Sequence, residues 1–379
     1  MRFSEFSVIS ESKQQGRAFN HLEDLVFFHG AQGAIEAVEH LKDFADSKGS
    51  RSIRMKWDGN PQIYWGRERA GGPLILGGHN QWSRGVLGDS PNAIKDFIAN
   101  QSGNPKTPEE KQQRVKFAKD FANMYPLFDA ATPKDYQGFV YGDGLFTQPQ
   151  TAVDGVYTFS PNPRSETAYH VKSSSDLGKR ISKAQIMVVG HAEFPQWGLP
   201  DSAQKPKNNF SEFNTNSKLI VLEPIYNSRP IEINTNQLQD IEQYAKANHQ
   251  AINGFLESVK GLSDLKKIIY TYVNQTAKLK NLDRLGTKDF LKWLSGSKVS
   301  KPKQEKIIQL NSTTHNDSLS IIFSLVKQIQ DAKDNVIDQI EGEQGDIWDT
   351  NGEGRVRYAD NTKQFGNIKL VPRKRWTPQ

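Results

Sequence analysis

The order of hydrophobic periodicities is what most constrains how this 379-residue chain can fold. Strand-like runs occupy residues 52–78 and several stretches between 138 and 226. Helical patterns fill 236–341, and strand-like runs return at 354–359 and 367–371. Alternation at period two marks a half-buried strand, and recurrence at 3.6 marks a helix with one apolar face. A chain that comes back to strands after roughly a hundred helical residues does not read as a sheet domain followed by an independent helical one. The simplest architecture is an antiparallel α+β core interrupted by a helical insertion. Residues 1–235 would then form the first part of the core, 236–341 a basic helical insertion, and 342–379 the final part.

Local signals sharpen this outline. Residues 20–46 read as a helix with Ala34, Val38, Leu41 and Ala45 on one face, and Gly30 and Gly33 fall where its start would bend. Ile53 and Met55 alternate with Arg54 and Lys56. QIYWG and PLILGG follow across the turn-like RERAGG, so 52–78 reads as an antiparallel meander. Thr107-Pro108-Glu109-Glu110 is a helix start, with Thr107 as cap, Pro108 in the first turn and Glu110 completing a capping box. Val115, Ala118, Phe121 and Ala122 would face inward, and Pro126 would end that helix. GFVYGDGLF (138–146), VYTFS (156–160), AQIMVVGHAEF (184–194) and LIVLEPIY (219–226) read as strands.

Composition removes several chemistries. There is no cysteine, which excludes disulfides, a thiol nucleophile and cysteine-ligated metals. The eight histidines form no HExxH-like pair, and His170 and His191 read as structural or surface residues. No apolar run approaches the ~20 residues a membrane span needs, and the N-terminus lacks the apolar stretch of a secretory signal. A cytoplasmic protein is expected. Positive charge is concentrated: residues 260–310 carry eleven Lys and one Arg against Asp264, Asp283, Asp289 and Glu305, a larger excess than the net +6 of the whole chain. Such a segment suits either a polyanionic partner or a solvated helical surface.

The stretch IRMKWDGNPQIYWG (53–66) sets a lysine at the end of one strand-like run, with Asp58 and Gly59 behind it. Alone this is a hairpin corner. Further segments follow it in order: SRG at 83–85, YGDGLF at 141–146, GEGRVRY at 352–358 and IKLVPRKRW at 368–376. Together they resemble the motifs of the covalent nucleotidyltransferases, the superfamily of ATP-dependent DNA ligases, RNA ligases and mRNA-capping enzymes. KWDG resembles the nucleophile motif KxDG. SRG resembles the downstream arginine motif, YGDGLF the third motif, AQIMVVGHAEF the apolar strand after it, and GEGRV and IKLV the fourth and fifth motifs. NHLED, KWDGNP and YHVKSSSDL further resemble a tailed-phage family of ligase-like proteins, which would place the protein in the host cytoplasm. The likeness covers residues 20–195 and 345–376, not the helical block.

That resemblance implies a ligase-type adenylation core. Lys56 would be the nucleophile and Lys369 the catalytic cation of the fifth motif. Asp58, Gly59, Arg84, Asp143 and Glu353 would contact the nucleotide, with Asp143 and Glu353 also placed to hold Mg2+. ATP and Mg2+ would be the cofactors, with GTP open as the alternative nucleotide. Lys56 would form a lysyl-AMP, pass the AMP to a 5′-phosphate and let a 3′-hydroxyl displace it. Nucleic-acid ends would be held through residues 260–310. RNA is favoured over DNA, because only Pro372 to Gln379 follow the fifth motif, too few for the C-terminal OB-fold of DNA ligases. The sequence departs from the pattern at Pro61, where an arginine is usual, at Asp143, where glutamate is usual, and at Val371, where a second lysine is usual. A phage protein that keeps this fold to bind nucleic acid without turnover is the alternative, as is transfer to a different acceptor. Asp349, Asn351 and Glu353 also resemble the start of a calcium-binding loop with Asp360 in its twelfth position, but NTKQFGNIKLV after it is not an amphipathic helix.

Overall fold

The computed structural model describes residues 20–45, 52–55, 57, 59–100, 107–161, 167–227, 230–258, 265–279, 282–311, 317–341, 346–349, 355–357 and 367–373. Its strands are β1 (Asn20–His21), β2 (Arg54–Met55), β3 (Gln62–Arg67), β4 (Ile75–Gly78), β5 (Gly138–Phe146), β6 (Val156–Phe159), β7 (Tyr169–Lys172), β8 (Ile186–Phe194), β9 (Lys205–Pro206), β10 (Leu219–Leu222), β11 (Ile347–Asp349), β12 (Arg355–Arg357) and β13 (Ile368–Leu370). Its helices are α1 (Leu25–Asp43), α2 (His79–Ser83), α3 (Pro91–Asn100), α4 (Pro108–Ala122), α5 (Tyr125–Ala131), α6 (Asp176–Ile181), α7 (Thr235–Ala247), α8 (His249–Ser258), α9 (Leu265–Lys278), α10 (Thr287–Gly296), α11 (Lys301–Gln309) and α12 (Ser318–Glu341). The fold is α+β, as the periodicities require. None of the described helices is long and apolar enough to cross a membrane.

The chain divides into two compact units, and the division falls differently from the sequence-based boundaries. One unit comprises residues 1–56, 226–343 and 352–379, and the other 57–225 and 344–351. The helices of 236–341 are not a body of their own. Leu238, Ile252, Phe255, Ile269, Phe323 and Val326 share one hydrophobic core with Leu25, Val26, Phe27 and Val38 of α1 and with Ile368 and Leu370 of β13. Burying a leucine- or phenylalanine-sized side chain is worth about 1.5–3 kcal/mol, so this shared core, rather than chain order, decides which segments belong together. At Gly30 the helix α1 is broken (φ 63°, ψ −143°), as its position suggested. The break leaves the Ala31 N–H to donate to Asn253 Oδ1 at 3.1 Å. That oxygen stands 2.2 Å from where a Cβ on residue 30 would lie.

Beside these helices lies a four-stranded sheet in the order β1-β13-β12-β2. Lys369 in β13 pairs with Val356 of β12 and His21 of β1. A buried ionic cluster joins the same segments. Lys333 Nζ lies 2.7 Å from Glu23 Oε1, and Arg373 lies 3.0 Å from that oxygen. Arg373 also donates both terminal nitrogens to Asp24, at 2.8 and 2.7 Å. The NHLED segment therefore serves, through Glu23 and Asp24, to anchor residues more than three hundred positions away.

The second unit is built on a six-stranded sheet in the order β10-β8-β5-β3-β4, with β9 beside β8. A three-stranded sheet, β11-β7-β6, accompanies it. On one face of the large sheet, Ile63, Trp65, Val140 and Val188 pack against Ile94, Ile98, Phe121 and Phe128 of α3–α5. Alternate residues Tyr64, Phe139 and Phe194 point to the opposite face, where Trp82 joins them. Thr107 caps α4 as expected, its hydroxyl accepting from Glu110 N at 3.2 Å. Val115 is 51% exposed and does not join Ala118, Phe121 and Ala122 inside, and Pro126 opens α5 rather than merely closing α4.

Two expectations are corrected. Two of the three sheets are mixed rather than antiparallel: β10 runs parallel to β8 and β1 parallel to β13, while β11-β7-β6 is antiparallel throughout. The cause for β10 is that residues 195–218 carry the chain back along the sheet, so the next strand enters in the same direction as β8. Residues 52–78 are likewise not one meander. β3 and β4 form an antiparallel hairpin, whereas β2 pairs with β12 in the other unit.

Candidate functional site

The loop that follows β2 is strapped to β5. Asn60 N donates to Gly144 O and Gly144 N donates to Pro61 O, both at 2.9 Å. Gly59 fits only because it lacks a side chain. A Cβ there would stand 2.6 Å from Asp143 Cβ and 2.6 Å from Gly144 O. Trp57, 3% exposed, places its ring 4.5 Å from that of Tyr169 in β7. WDGNP and YGDG are thus two halves of one contact, and Pro61, where the nucleotidyltransferase pattern has arginine, belongs to the strap.

At this contact β5 carries Asp143, buried to 7% exposure. Its carboxylate meets His191 Nε2 at 3.1 Å and Tyr141 OH at 3.5 Å. Gln62 Nε2 in turn donates to Tyr141 OH at 3.1 Å. His191 reaches Asp143 because the β5–β8 register slips: Tyr141 pairs with Ala192 while Gly142 pairs with Gly190, leaving His191 as the extra residue of a bulge. Bulges commonly re-aim a side chain in this way. Gly142 and Gly190 permit the close approach. A Cβ on the first would stand 2.3 Å from Val189 O, and one on the second 2.4 Å from the Phe210 ring.

The surroundings are aromatic. Tyr64 stacks on Trp82 at 4.3 Å and on Tyr141 at 5.0 Å. Burial, followed by the charge of Asp143 and the neighbouring Tyr64, pushes the Tyr141 hydroxyl well above its ordinary range, so it stays a neutral donor toward the carboxylate. An ionised carboxylate offers about four acceptor positions. His191 and Tyr141 use two, which leaves capacity for a sugar hydroxyl or a hydrated cation. Magnesium is commonly held by one or two carboxylates, with water and phosphate completing its shell, and Asp143 fits as one such ligand. Among the described residues no group of three or more His, Asp or Glu gathers as a metal cage.

Of the residues expected to form the site, Gly59 and Asp143 are brought into contact. Arg84 is exposed just after α2. That helix lies over the face bearing Asp143, since its Trp82 stacks on Tyr64. Lys369 is half-buried in β13 of the other unit. Lys56, Asp58 and Glu353 lie outside the described residues. In the basic stretch, Lys288, Lys292, Lys301 and Lys306 of α10 and α11 are exposed, as is Lys298 between the two helices. His170 is structural, stacked 5.2 Å from Trp348. His191, read from sequence as a structural or surface residue, is a hydrogen-bond partner of Asp143, and Gly190 beside it was the one local sign of a bulge.

No curated protein and no solved structure matches the chain. A family model, described as a family of unknown function (DUF6267), matches residues 17–76 and 127–376. The match spans Gly59, Asp143, His191 and Lys369, and leaves Arg84 and the helices α2–α4 outside it. Because the matched residues make up most of its length, the chain belongs to the DUF6267 family of unknown function.

Proposed function

We propose that this protein is an ATP-dependent nucleotidyltransferase of the polynucleotide-ligase type, with an adenylation core that carries the basic helices, and that RNA ends are its favoured acceptors. The strap between Gly59–Pro61 and Asp143–Gly144 carries the reading. It couples the segment that resembles KxDG to the strand that resembles the third motif, with a buried carboxylate at the junction. Lys56 precedes Gly59 by three residues, so chain connectivity alone keeps their Cα atoms within roughly 11 Å.

In the proposed reaction the Lys56 amine attacks the α-phosphorus of ATP. A P–N bond forms, the bond to the β-phosphate oxygen breaks, and pyrophosphate leaves. The amine must first be neutral, a form present in only about one lysine in a few thousand at pH 7, so neighbouring positive charge and exclusion of water are required to depress its pKa. Negative charge developing on the phosphoryl oxygens calls for cations, the role assigned to Arg84, Lys369 and Mg2+. Asp143 and Glu353 would hold the ribose or the magnesium, with His191 and Tyr141 orienting Asp143. The adenylyl group then passes to a 5′-phosphate, and a 3′-hydroxyl attacks that phosphate and expels AMP.

Incubation with α-labelled ATP and Mg2+ tests the proposal. Wild type is expected to retain acid-stable label on the protein, and Lys56→Ala to retain none. Label that persists in Lys56→Ala removes the assigned nucleophile. No label in wild type, under conditions that label a known ligase, removes the enzymatic reading and leaves a nucleic-acid-binding protein. Sealing of nicked RNA, DNA and hybrid duplexes then identifies the acceptor.

A further inference from the structure

A concave basic site opens on the second unit, built by α6 and the turn that leads into β10. The cavity holds about 380 Å³ and is lined by Lys179, Arg180 and Lys183, by the polar turn Asn214–Ser217, and by Leu219 and Ile220. Three cations converge there, and no carboxylate is among the lining residues.

The turn is rigidly held. Asn214 Oδ1 accepts from Val221 N at 3.0 Å, and its Nδ2 donates to Val221 O at 2.9 Å and to Phe210 O at 3.1 Å. Asn216 Oδ1 accepts from Lys218 N at 2.9 Å. The same Asn214 Oδ1 accepts from Arg180 at 2.7 Å, which fixes the guanidinium against the turn. Among the described residues this is the one side-chain hydrogen bond of Arg180, and a guanidinium has five N–H donors. Burial lowers the Arg180 pKa, with Glu223 acting the other way, so its charge is held against a desolvation cost. Lys183 makes no ion pair among the described residues. Lys179 pairs with Asp176 at 3.2 Å, a contact on a fully exposed carboxylate that an incoming anion can replace. Cations in the last turn of a helix offset its dipole, which accounts for Lys179 and Arg180 but not for a cavity they share with Lys183 and a polar turn.

We propose that this cavity binds a phosphate group. A planar guanidinium, two mobile ammonium groups and the hydroxyls of Thr215 and Ser217 match an oxyanion that accepts several charge-assisted hydrogen bonds. The phosphate belongs either to a nucleic-acid backbone or to a free phosphorylated molecule. The site is independent of Lys56 chemistry, because binding here requires no nucleotidyl transfer.

The test uses the full chain, with Lys179→Gln/Lys183→Gln as the main variant because it leaves the Arg180–Asn214 hydrogen bond in place, and Arg180→Gln as a second. Thermal unfolding is followed in inorganic phosphate and in chloride at equal ionic strength. Binding of a labelled single-stranded oligonucleotide is followed by anisotropy across a salt series. Phosphate is expected to raise the Tm of wild type above its value in chloride, and the variants to lose that difference. If the phosphate comes from a nucleic acid, oligonucleotide affinity in the variants falls roughly three- to tenfold, and the slope of log affinity against log salt drops by about one. Protection by phosphate with unchanged oligonucleotide binding assigns the site to a free phosphorylated molecule. Equal behaviour of wild type and variants in both measurements overturns the proposal. Lys56→Ala is expected to match wild type in both, so loss of nucleotidyl transfer and loss of this site are separable.

Discussion

Gly59 shows how one residue type can be required twice, for a motif and for a fold. Its φ is not left-handed, so backbone freedom is not the reason for glycine there. The reason is space: a Cβ would press on Asp143 Cβ and Gly144 O, both at 2.6 Å. Backbone and a packed β-carbon cannot swing aside as a long side chain can. Gly59→Ala is therefore expected to cost about 1–3 kcal/mol, the usual price of overpacking, read by urea denaturation. Gly144→Ala is the comparison. There the nearest atoms are Pro61 Cδ at 3.3 Å and Asn60 O at 3.4 Å, close to ordinary contact, and a loss under about 1 kcal/mol is expected. Equal losses for the two variants would mean that the strap is not as tight as its geometry. The same crowding fixes where Asp143 sits, so Gly59 also acts on the position of the carboxylate.

At the scale of elements, the exposed lysines of α10, α11 and the loop between them can be separated from the core they cover. Lys288, Lys292, Lys298, Lys301 and Lys306 face solvent, while Phe290, Leu294 and Ile307 are buried beneath them. Replacing these five lysines by glutamine is expected to leave the Tm nearly unchanged, since isolated surface charges are worth little. Nucleic-acid affinity and its salt dependence are expected to fall together. Unchanged binding would assign the lysines to solvation alone. Elements were also what the sequence displayed best. β5 spans the same nine residues as the GFVYGDGLF run, a short apolar stretch buried along nearly its whole length. The cap at Thr107 was equally readable, being a contact between neighbours in sequence. Long-range pairing was hidden. β2 is two residues long and gives no sign that its partner lies three hundred positions on. The bulge that turns His191 toward Asp143 is a mismatch between two strands, and Gly190 is its one local trace in the sequence.

The whole first unit depends on segments from both ends of the described chain, and the ionic cluster is where that dependence is most exposed. Glu23, Lys333 and Arg373 are fully buried and Asp24 nearly so. Burial works to raise the Glu23 pKa, but Lys333 and Arg373 together hold it below the ordinary value. At Asp24 burial outweighs the attraction of Arg373 and the pKa is raised. Removing one partner from a buried ion pair typically costs about 3–5 kcal/mol, because a charge is left without compensation. Arg373→Met keeps much of the volume and removes the charge, so a loss of that order is expected at neutral pH. Its pH dependence has a definite sign. Without Arg373 both carboxyl groups lose attraction, and their folded-state pKa values move upward. A carboxyl raised in the folded state gives stability that is present below its unfolded pKa and lost as pH rises through the folded one. In wild type the depressed Glu23 does the reverse: its contribution is present above the unfolded pKa and lost as pH falls through the folded one. The gap between variant and wild type is therefore widest near pH 7 and narrows as the pH approaches about 4, where carboxyl groups ordinarily take up protons. Denaturant titrations of both proteins across this range measure the gap directly. A deficit that stays constant with pH would mean that Arg373 supports the unit through packing and not through Glu23 and Asp24.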